Sequence, residues 1–417
     1  MIVYVQLLKS KMNQKVALRS WMAFFVASIF YLYGLTLRVA PSVMTNELMS
    51  TFNAGTASMG ILISFFYYSY TAMQLPCGFI IDRIGPRNLL GISATLCVIG
   101  SFIFALTDNI NIAKIGRFLV GSGSACSFIS CLQISAHMFP KRHFVILTGI
   151  TNVMGTLGGL VGGVPIAKIV NVYGWQTTTN ILAICGIFIG LLIVFFIPKR
   201  IESQSEQQSK SSVLTAFVSI AKNKQVLLAG LIAGLMYLPI DVFAELWAVP
   251  YFMVKYNISN EYAAISSSII FVGVAIGSVA MAIFAEKIHS YKKTLQLSAG
   301  VLMLLFSALL FSNQKILTAF IMVFLIGFFT GAQPIGFTCA KENVQPNKTG
   351  AAISITNCIV MLIGAIFQPL IGVLLDIFGN EKNTHAYDIN SYNAALMLIP
   401  ISLAISVICS SKIKESN

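Results

Sequence analysis

Val301-Leu302-Met303-Leu304-Leu305-Phe306 sits inside a run from 294 to 312 that holds no charged residue. The run does not alternate polar with apolar, so it is not a barrel strand. About 20 apolar residues are needed for a helix to cross the hydrocarbon core, and this stretch is of that length. Working outward, similar stretches recur near 21–44, 57–80, 88–106, 114–139, 144–168, 177–197, 226–254, 262–285, 316–340, 350–375 and 391–410. With 294–312 they make twelve. Every backbone polar group in lipid must be satisfied within its own segment, so each stretch is expected to be a helix. The expected fold class is an all-α membrane protein with twelve transmembrane helices in two six-helix bundles. Composition agrees: 57% of residues are hydrophobic and only 10% charged, against about 25% charged in a soluble domain.

The chain carries a formal charge of +13. Such a charge can signal nucleic acid, so its position matters. Five cations, Lys114, Lys168, Lys255, Lys315 and Lys382, fall on one side of the twelve stretches. Arg38 and Arg117 lie within them, and the remaining twenty of the 27 Lys and Arg fall on the side of both termini. The positive-inside rule then places both termini in the cytosol. The charge orients the chain and requires no nucleic-acid partner.

Residues 1–20 read as a cytosolic lead-in. The first span is too long for a signal-peptide core, and no small-residue cleavage site follows it. The longest polar stretch contains Glu202-Ser203-Gln204-Ser205-Glu206-Gln207-Gln208-Ser209-Lys210-Ser211-Ser212, a flexible and solvated composition. It divides the chain into a bundle over 21–197, a linker over 198–225, a second bundle over 226–410 and a tail over 411–417. Val213, Leu214, Phe217, Val218 and Ala221 follow at helical spacing and predict a short helix on the membrane surface. The halves echo each other. Arg38-Val39-Ala40-Pro41 matches Trp247-Ala248-Val249-Pro250, and Thr148-Gly149 through Asn152 matches Thr349-Gly350 through Asn357. A six-helix repeat places a binding site between the halves, near mid-membrane.

The eight cysteines lie in or at the ends of spans with no paired spacing, so they read as small packing residues and not as a disulfide framework. His137, His143, His289 and His385 have no partner at ligand spacing, and neither a metal nor another cofactor is expected. No Gly-x4-Gly-Lys-Ser/Thr occurs, so no ATP hydrolysis, and no enzyme activity, is expected.

Between spans 2 and 3 the chain reads Gly78-Phe79-Ile80-Ile81-Asp82-Arg83-Ile84-Gly85-Pro86-Arg87. This resembles the signature loop of the major facilitator superfamily. Gly78 permits close helix approach, Gly85-Pro86 makes a tight turn, and Asp82 can accept from a helix N-terminus. The resemblance implies a latch that closes the cytosolic side of an alternating-access transporter, with Gly78, Asp82, Arg83, Gly85 and Arg87 in it. Glu286-Lys287 through Lys292-Lys293 is a second-half copy without the glycines. Arg117-Phe118-Leu119-Val120-Gly121 in span 4 is similar to the family's Arg-and-glycine pattern, and joins Glu286 as a gating candidate. Gly155, Gly158, Gly159, Gly162 and Gly163 before Pro165 resemble its glycine-rich fifth helix, although the Gly and Pro order departs from the usual one.

The inner charges speak to substrate. Arg38 lies 19 residues beyond Arg19, and Glu245 lies 21 beyond Lys224. Both therefore sit roughly 30 Å up their helices. Asp241 is one turn from Glu245 on the same face. A cation on span 1 and acids on span 7 are expected to face each other across the site. Arg38 resembles the substrate arginine of organophosphate:phosphate antiporters, but those carry a second arginine where this chain has acids. One Arg with a carboxylate suits a zwitterion: an amino acid or dipeptide. Tyr31 through Val43 and Glu245 through Tyr251 resemble the branch holding the lysosomal dipeptide transporter and its bacterial relatives.

Expected substrate-binding residues are Arg38, Tyr70, Gln74, Asn152, Asp241, Glu245 and Asn357. Asp241 and Glu245 are also the proton-coupling candidates. Gln333 and Gln368 are further polar lining residues. The rest of Phe65-Phe66-Tyr67-Tyr68 reads as packing. Alternatives stay open: Arg38 and Glu245 as a structural ion pair, Arg38 reaching the outer interface, or an organic anion, organophosphate or sugar carried with protons. A non-transporting receptor on the same scaffold is the remote reading. The expected partners are a small solute, H+ and the lipid bilayer. The chain is expected to act as a monomer in a bacterial inner membrane.

Overall fold

A computed structural model describes residues 2–140, 144–199, 219–345, 348–379 and 387–415. Helix α1 (Ile2–Val39) passes into a 3-10 turn over Ala40–Val43, where Pro41 supplies no N–H to an α-helical ladder. A short helix α2 (Thr45–Phe52) ends at Asn53, which takes the left-handed conformation that stops a helix. Then α3 (Thr56–Ala105) doubles back at Gly85, where φ is 78°. A side chain with a Cβ rarely adopts that angle, so the expected turn is carried by this glycine. Next come α4 (Ile110–Met138), α5 (Phe144–Gly162) and α6 (Val164–Phe196), the last folding back at Gly174.

The second half begins with α7 (Lys224–Leu238), a π-helical segment over Pro239–Trp247, and α8 (Ala248–Tyr256). It continues with α9 (Asn260–Lys287), α10 (Tyr291–Phe311), α11 (Ile316–Thr330), α12 (Ile335–Glu342), α13 (Thr349–Phe378), α14 (Ile389–Leu396) and α15 (Leu398–Ser410). Among the described residues ten stretches are long and apolar enough to cross a membrane. One of them, Leu147–Phe196, folds back at Gly174 and makes two passes. The arm of α3 before Gly85 makes another, for twelve. No strand occurs among the described residues. The outer faces are apolar, with Phe195 78% and Ile377 66% exposed, as lipid-facing side chains are. The helix expected at 213–221 falls mostly outside the described residues.

Small residues set the spacing of helices. The glycine-rich α5 uses its glycines on two faces. Gly158 and Gly162 lie against Leu32 and Val39 of α1, while Gly159 and Gly163 lie against Phe271 and Ser268 of α9 in the other half. Helix α3 and α13 also meet across the halves, where Gly60 touches Gln368 and Pro369 and leaves no room for a Cβ.

One expectation is corrected. Cys77 and Cys126 do not merely pack: a disulfide joins them, with Cα atoms 5.5 Å apart, and both are buried. The partners are 49 residues apart on α3 and α4. Only the packing of those helices brings them within disulfide reach.

Candidate functional site

The last turn of α1 carries Arg38 into the contact between the halves. Its side chain is 5% exposed, and every partner of its guanidinium is a side chain from another helix. Nε donates to Glu245 Oε2 at 2.7 Å, and Nη2 pairs with Asp241 Oδ1. Nη2 also lies 3.1 Å from the Tyr67 hydroxyl, and Nη1 lies 3.8 Å from Met361 Sδ. The guanidinium carbon sits 4.7 Å from the centre of the Tyr67 ring. Tyr67 in turn donates to Glu245 Oε2, with the Asp241 carbonyl 3.1 Å from its oxygen.

The second half reaches this cluster through its π segment. A π turn is a rare local widening, often found at functional sites. It places Asp241 and Glu245 on one guanidinium and leaves the Asp241 carbonyl free to accept from Gln368 Nε2 of α13. Gly364 of α13 packs on the Asp241 carboxylate. Glu245 Oε1 and Gln368 Oε1 are buried with no hydrogen-bond partner. With both acids ionised the three charged groups sum to −1. An uncompensated charge in such a place is costly. A proton on one acid, or a cation entering the cluster, would neutralise it.

The depth argument places Arg38, Asp241 and Glu245 together, as the structure does. Tyr67, read as packing from the sequence, belongs to the cluster as well. It could have been found by noting that Tyr67, Tyr70 and Gln74 share one helix face. Tyr70 is buried and stacks on Phe66 at 5.7 Å, and Gln74 is half-buried one turn further along. Asn152 is exposed on α5, and Asn357 is half-buried on α13, one turn before Met361. Gln333 is buried in the turn that follows α11, where its backbone amide donates to the Thr330 carbonyl.

The gating candidates separate. Gly85 makes the turn, Arg83 is exposed and Arg87 half-buried. Gly78 lies in the first arm of α3, and the side chain of Asp82 lies outside the described residues. Arg117 is not with them. It lies near the other end of α4, where its Nη1 donates to the Leu37 carbonyl at 2.8 Å and its carbon sits 5.1 Å from the Phe66 ring. Glu286 is exposed. The acid at the start of α10 is instead Glu415, which accepts from Ser290 Oγ at 2.9 Å and from the Lys292 amide at 2.6 Å. A residue so distant in sequence carries no local signal.

The halves are also joined beyond the cluster, at the end away from the termini. Asp376 of α13 accepts from the amides of Thr56 and Ala57, which open α3. A carboxylate there complements the helix N-terminus. Tyr387 donates to the same acid at 2.6 Å, and burial pushes its phenol above the ordinary range. Asn260 Nδ2 meets the Val43 carbonyl at 2.8 Å, and Asn171 Nδ2 meets Glu261 at 3.1 Å.

The sequence profile of the Major Facilitator Superfamily matches residues 22–369. The chain belongs to that superfamily. It is similar to a protein named "Probable sugar efflux transporter" of Haemophilus influenzae, 21% identical over 386 residues, covering 92% of this chain and 91% of that one. Over a shorter reach it is 25% identical to the "Probable sulfoacetate transporter SauU" of Cupriavidus necator, across 44% of this chain and 43% of the relative. It is 27% identical to the "Probable L-galactonate transporter" of Escherichia coli, across 40% and 36%. In fold it is similar to a bacterial homologue of the human lysosomal transporter Spinster, with TM-score 0.75, 16% identity and coverage of 94% and 96%. The nucleoside transporter NupG gives TM-score 0.77 at 13% identity, covering 94% and 100%. This chain is a multi-pass membrane transporter of the superfamily type.

Proposed function

We propose that this transporter carries a small zwitterion, an amino acid or a dipeptide, by alternating access. Arg38 takes the substrate carboxylate, and Asp241 and Glu245 take its ammonium. The observation that carries the reading is one buried guanidinium held between two carboxylates of the opposite half. In the structure the guanidinium is paired with both acids, while Glu245 Oε1 has no partner. A ligand bearing both charges can offer its carboxylate to the guanidinium and its ammonium to the acids, and with a proton on one acid no charge is left uncompensated, as a buried site requires. A guanidinium also matches a carboxylate bidentately. The bundles 21–197 and 226–410 then rock as two bodies about the linker 198–225. Asp82 with Arg83 and Arg87 latches the side of the termini. The charge bias supports cytosolic termini, the bacterial relatives support a bacterial inner membrane, and the reading needs only a monomer.

A second reading has its own support. The relatives named for sulfoacetate and L-galactonate are named for anions. A monoanion on Arg38 gives a neutral cluster when Asp241 and Glu245 both carry a proton. Purified protein, screened by thermal shift against amino acids, dipeptides, sugar phosphates and carboxylates, tests which class binds, since a ligand of the folded state raises its stability. Dipeptides or amino acids that raise the unfolding temperature, with the rise lost in Arg38→Lys, are the expected result. A rise with aldonates alone would overturn the zwitterion reading in favour of the anion. In vesicles, Glu245→Gln abolishes pH-driven accumulation and permits exchange if Glu245 carries protons. It weakens zwitterion binding at every pH if Glu245 holds the ammonium.

A further inference from the structure

Away from the central site, a cleft of about 1000 Å3 opens on the outer surface between the second arm of α3 and the second arm of α6. Its walls are apolar. Ile92 and Leu96 come from α3, and Ile187 and Leu191 from α6, with Ile92 53% and Leu191 49% exposed. Glycines keep it open: a Cβ built on Gly91 would meet nothing within 4 Å, and Gly190 lines the facing wall. The cleft has a charged mouth. Arg87 and Lys199 both line it at the linker end, beside the Asn88 amide, and no acid lines it. Among the described residues neither cation forms an ion pair.

We propose that this cleft binds an anionic glycerophospholipid of the leaflet on the linker side. The acyl chains lie along the apolar walls, and the phosphate sits between Arg87 and Lys199. The assignment goes beyond the transport reading and does not depend on it. A greasy groove alone would take any acyl chain. Two cations at headgroup level, neither ion-paired among the described residues, select a phosphate with net negative charge, since a basic pocket between membrane helices is suited to an anionic headgroup. Arginine adds a planar fork that can hold two phosphate oxygens.

The test uses the full chain, purified and stripped of lipid in neutral detergent. Its unfolding temperature is measured with phosphatidylglycerol, with phosphatidylcholine of the same acyl chains, and with inorganic phosphate alone. Phosphatidylglycerol is expected to raise it by several degrees, phosphatidylcholine by less than half as much, and inorganic phosphate not at all. Lys199→Gln and Arg87→Gln should each reduce the phosphatidylglycerol rise toward the phosphatidylcholine level. Gly91→Leu, which fills open space, should remove the rise for both lipids. Should Arg87→Gln fail to fold, exposed Lys199 and Gly91 still decide the matter. Equal rises with the two lipids would overturn the proposal, as would an unchanged rise in Lys199→Gln or in Gly91→Leu. A rise with inorganic phosphate equal to that with phosphatidylglycerol would make this a site for a soluble anion and overturn the lipid assignment.

Discussion

Arg38 and Arg117 are both arginines of the first half, and both are buried, 5% and 3% exposed. Their partners could hardly differ more. Arg38 is held by two carboxylates of the second half, a tyrosine hydroxyl and a thioether. Arg117 donates once, to a backbone carbonyl of α1, and lies over Phe66, while its Nε and Nη2 have no partner. A buried charge is tolerated when it is paired and hydrogen-bonded. For Arg38 the carboxylates belong to the other half, so its pairing depends on contact between the halves. For Arg117 the partners come from its own bundle and travel with it. The first arginine ties one half to the other, and the second fixes α1 against α4.

The largest effect should come from breaking the shared cluster. Arg38→Ala leaves two buried carboxylates facing each other, and removing one side of a buried ion pair costs about 3–5 kcal/mol. The unfolding temperature of purified protein should fall accordingly. The triple change Arg38→Met/Asp241→Asn/Glu245→Gln should recover most of that loss, because no charge is then left unpaired. If the single and triple variants are equally unstable, the ion cluster is not what holds the halves there.

Arg117→Met provides the contrast. It forfeits one hydrogen bond and a ring contact, and also removes a poorly satisfied charge, so its net cost should stay below about 2 kcal/mol. The same thermal measurement checks it. A loss matching that of Arg38→Ala would erase the distinction between the two arginines.

The contrast also marks what the sequence could tell. Transmembrane passes are legible because lipid imposes a length and a composition on each one. The pairing of Arg38 with Glu245 is legible because helical rise converts residue counts into depth. Within that frame the details were not. The π turn over Pro239–Trp247 leaves no periodic mark, so the sequence shows only that Asp241 and Glu245 share a face. The role of Tyr67 is hidden among Phe65, Phe66 and Tyr68, because aromatic residues in a span usually pack. Cys77 with Cys126, Glu415 with α10 and Asp376 with α3 are contacts over long sequence distances. No local spacing announces them. Arg117 was grouped with the latch by a motif resemblance, yet its place on α4 is toward the opposite end from Asp82.

Asp376 offers the mildest test of the comparison, since here a charge from one half meets backbone of the other, not a counter-charge. The acid accepts from the Thr56 amide at 3.2 Å, the Ala57 amide at 2.9 Å and the Thr56 hydroxyl at 2.6 Å. The Gly372 carbonyl lies 2.8 Å from the same hydroxyl oxygen as an alternative acceptor. No side chain of α3 itself caps this helix start, so its first amides depend on the other half. Asp376→Asn keeps an acceptor oxygen and removes the charge, which at a helix N-terminus contributes about 1 kcal/mol. Hydrogen exchange at Thr56 and Ala57 should then quicken about fivefold if the amides are freed by separation of the halves. Exchange at the start of α4, capped by its own Asn109, should not change. Unaltered exchange at Thr56 and Ala57 would mean that packing of Gly60 and Gly372 alone closes this end, and that the cluster around Arg38 is the one charged contact between halves that matters to the cycle.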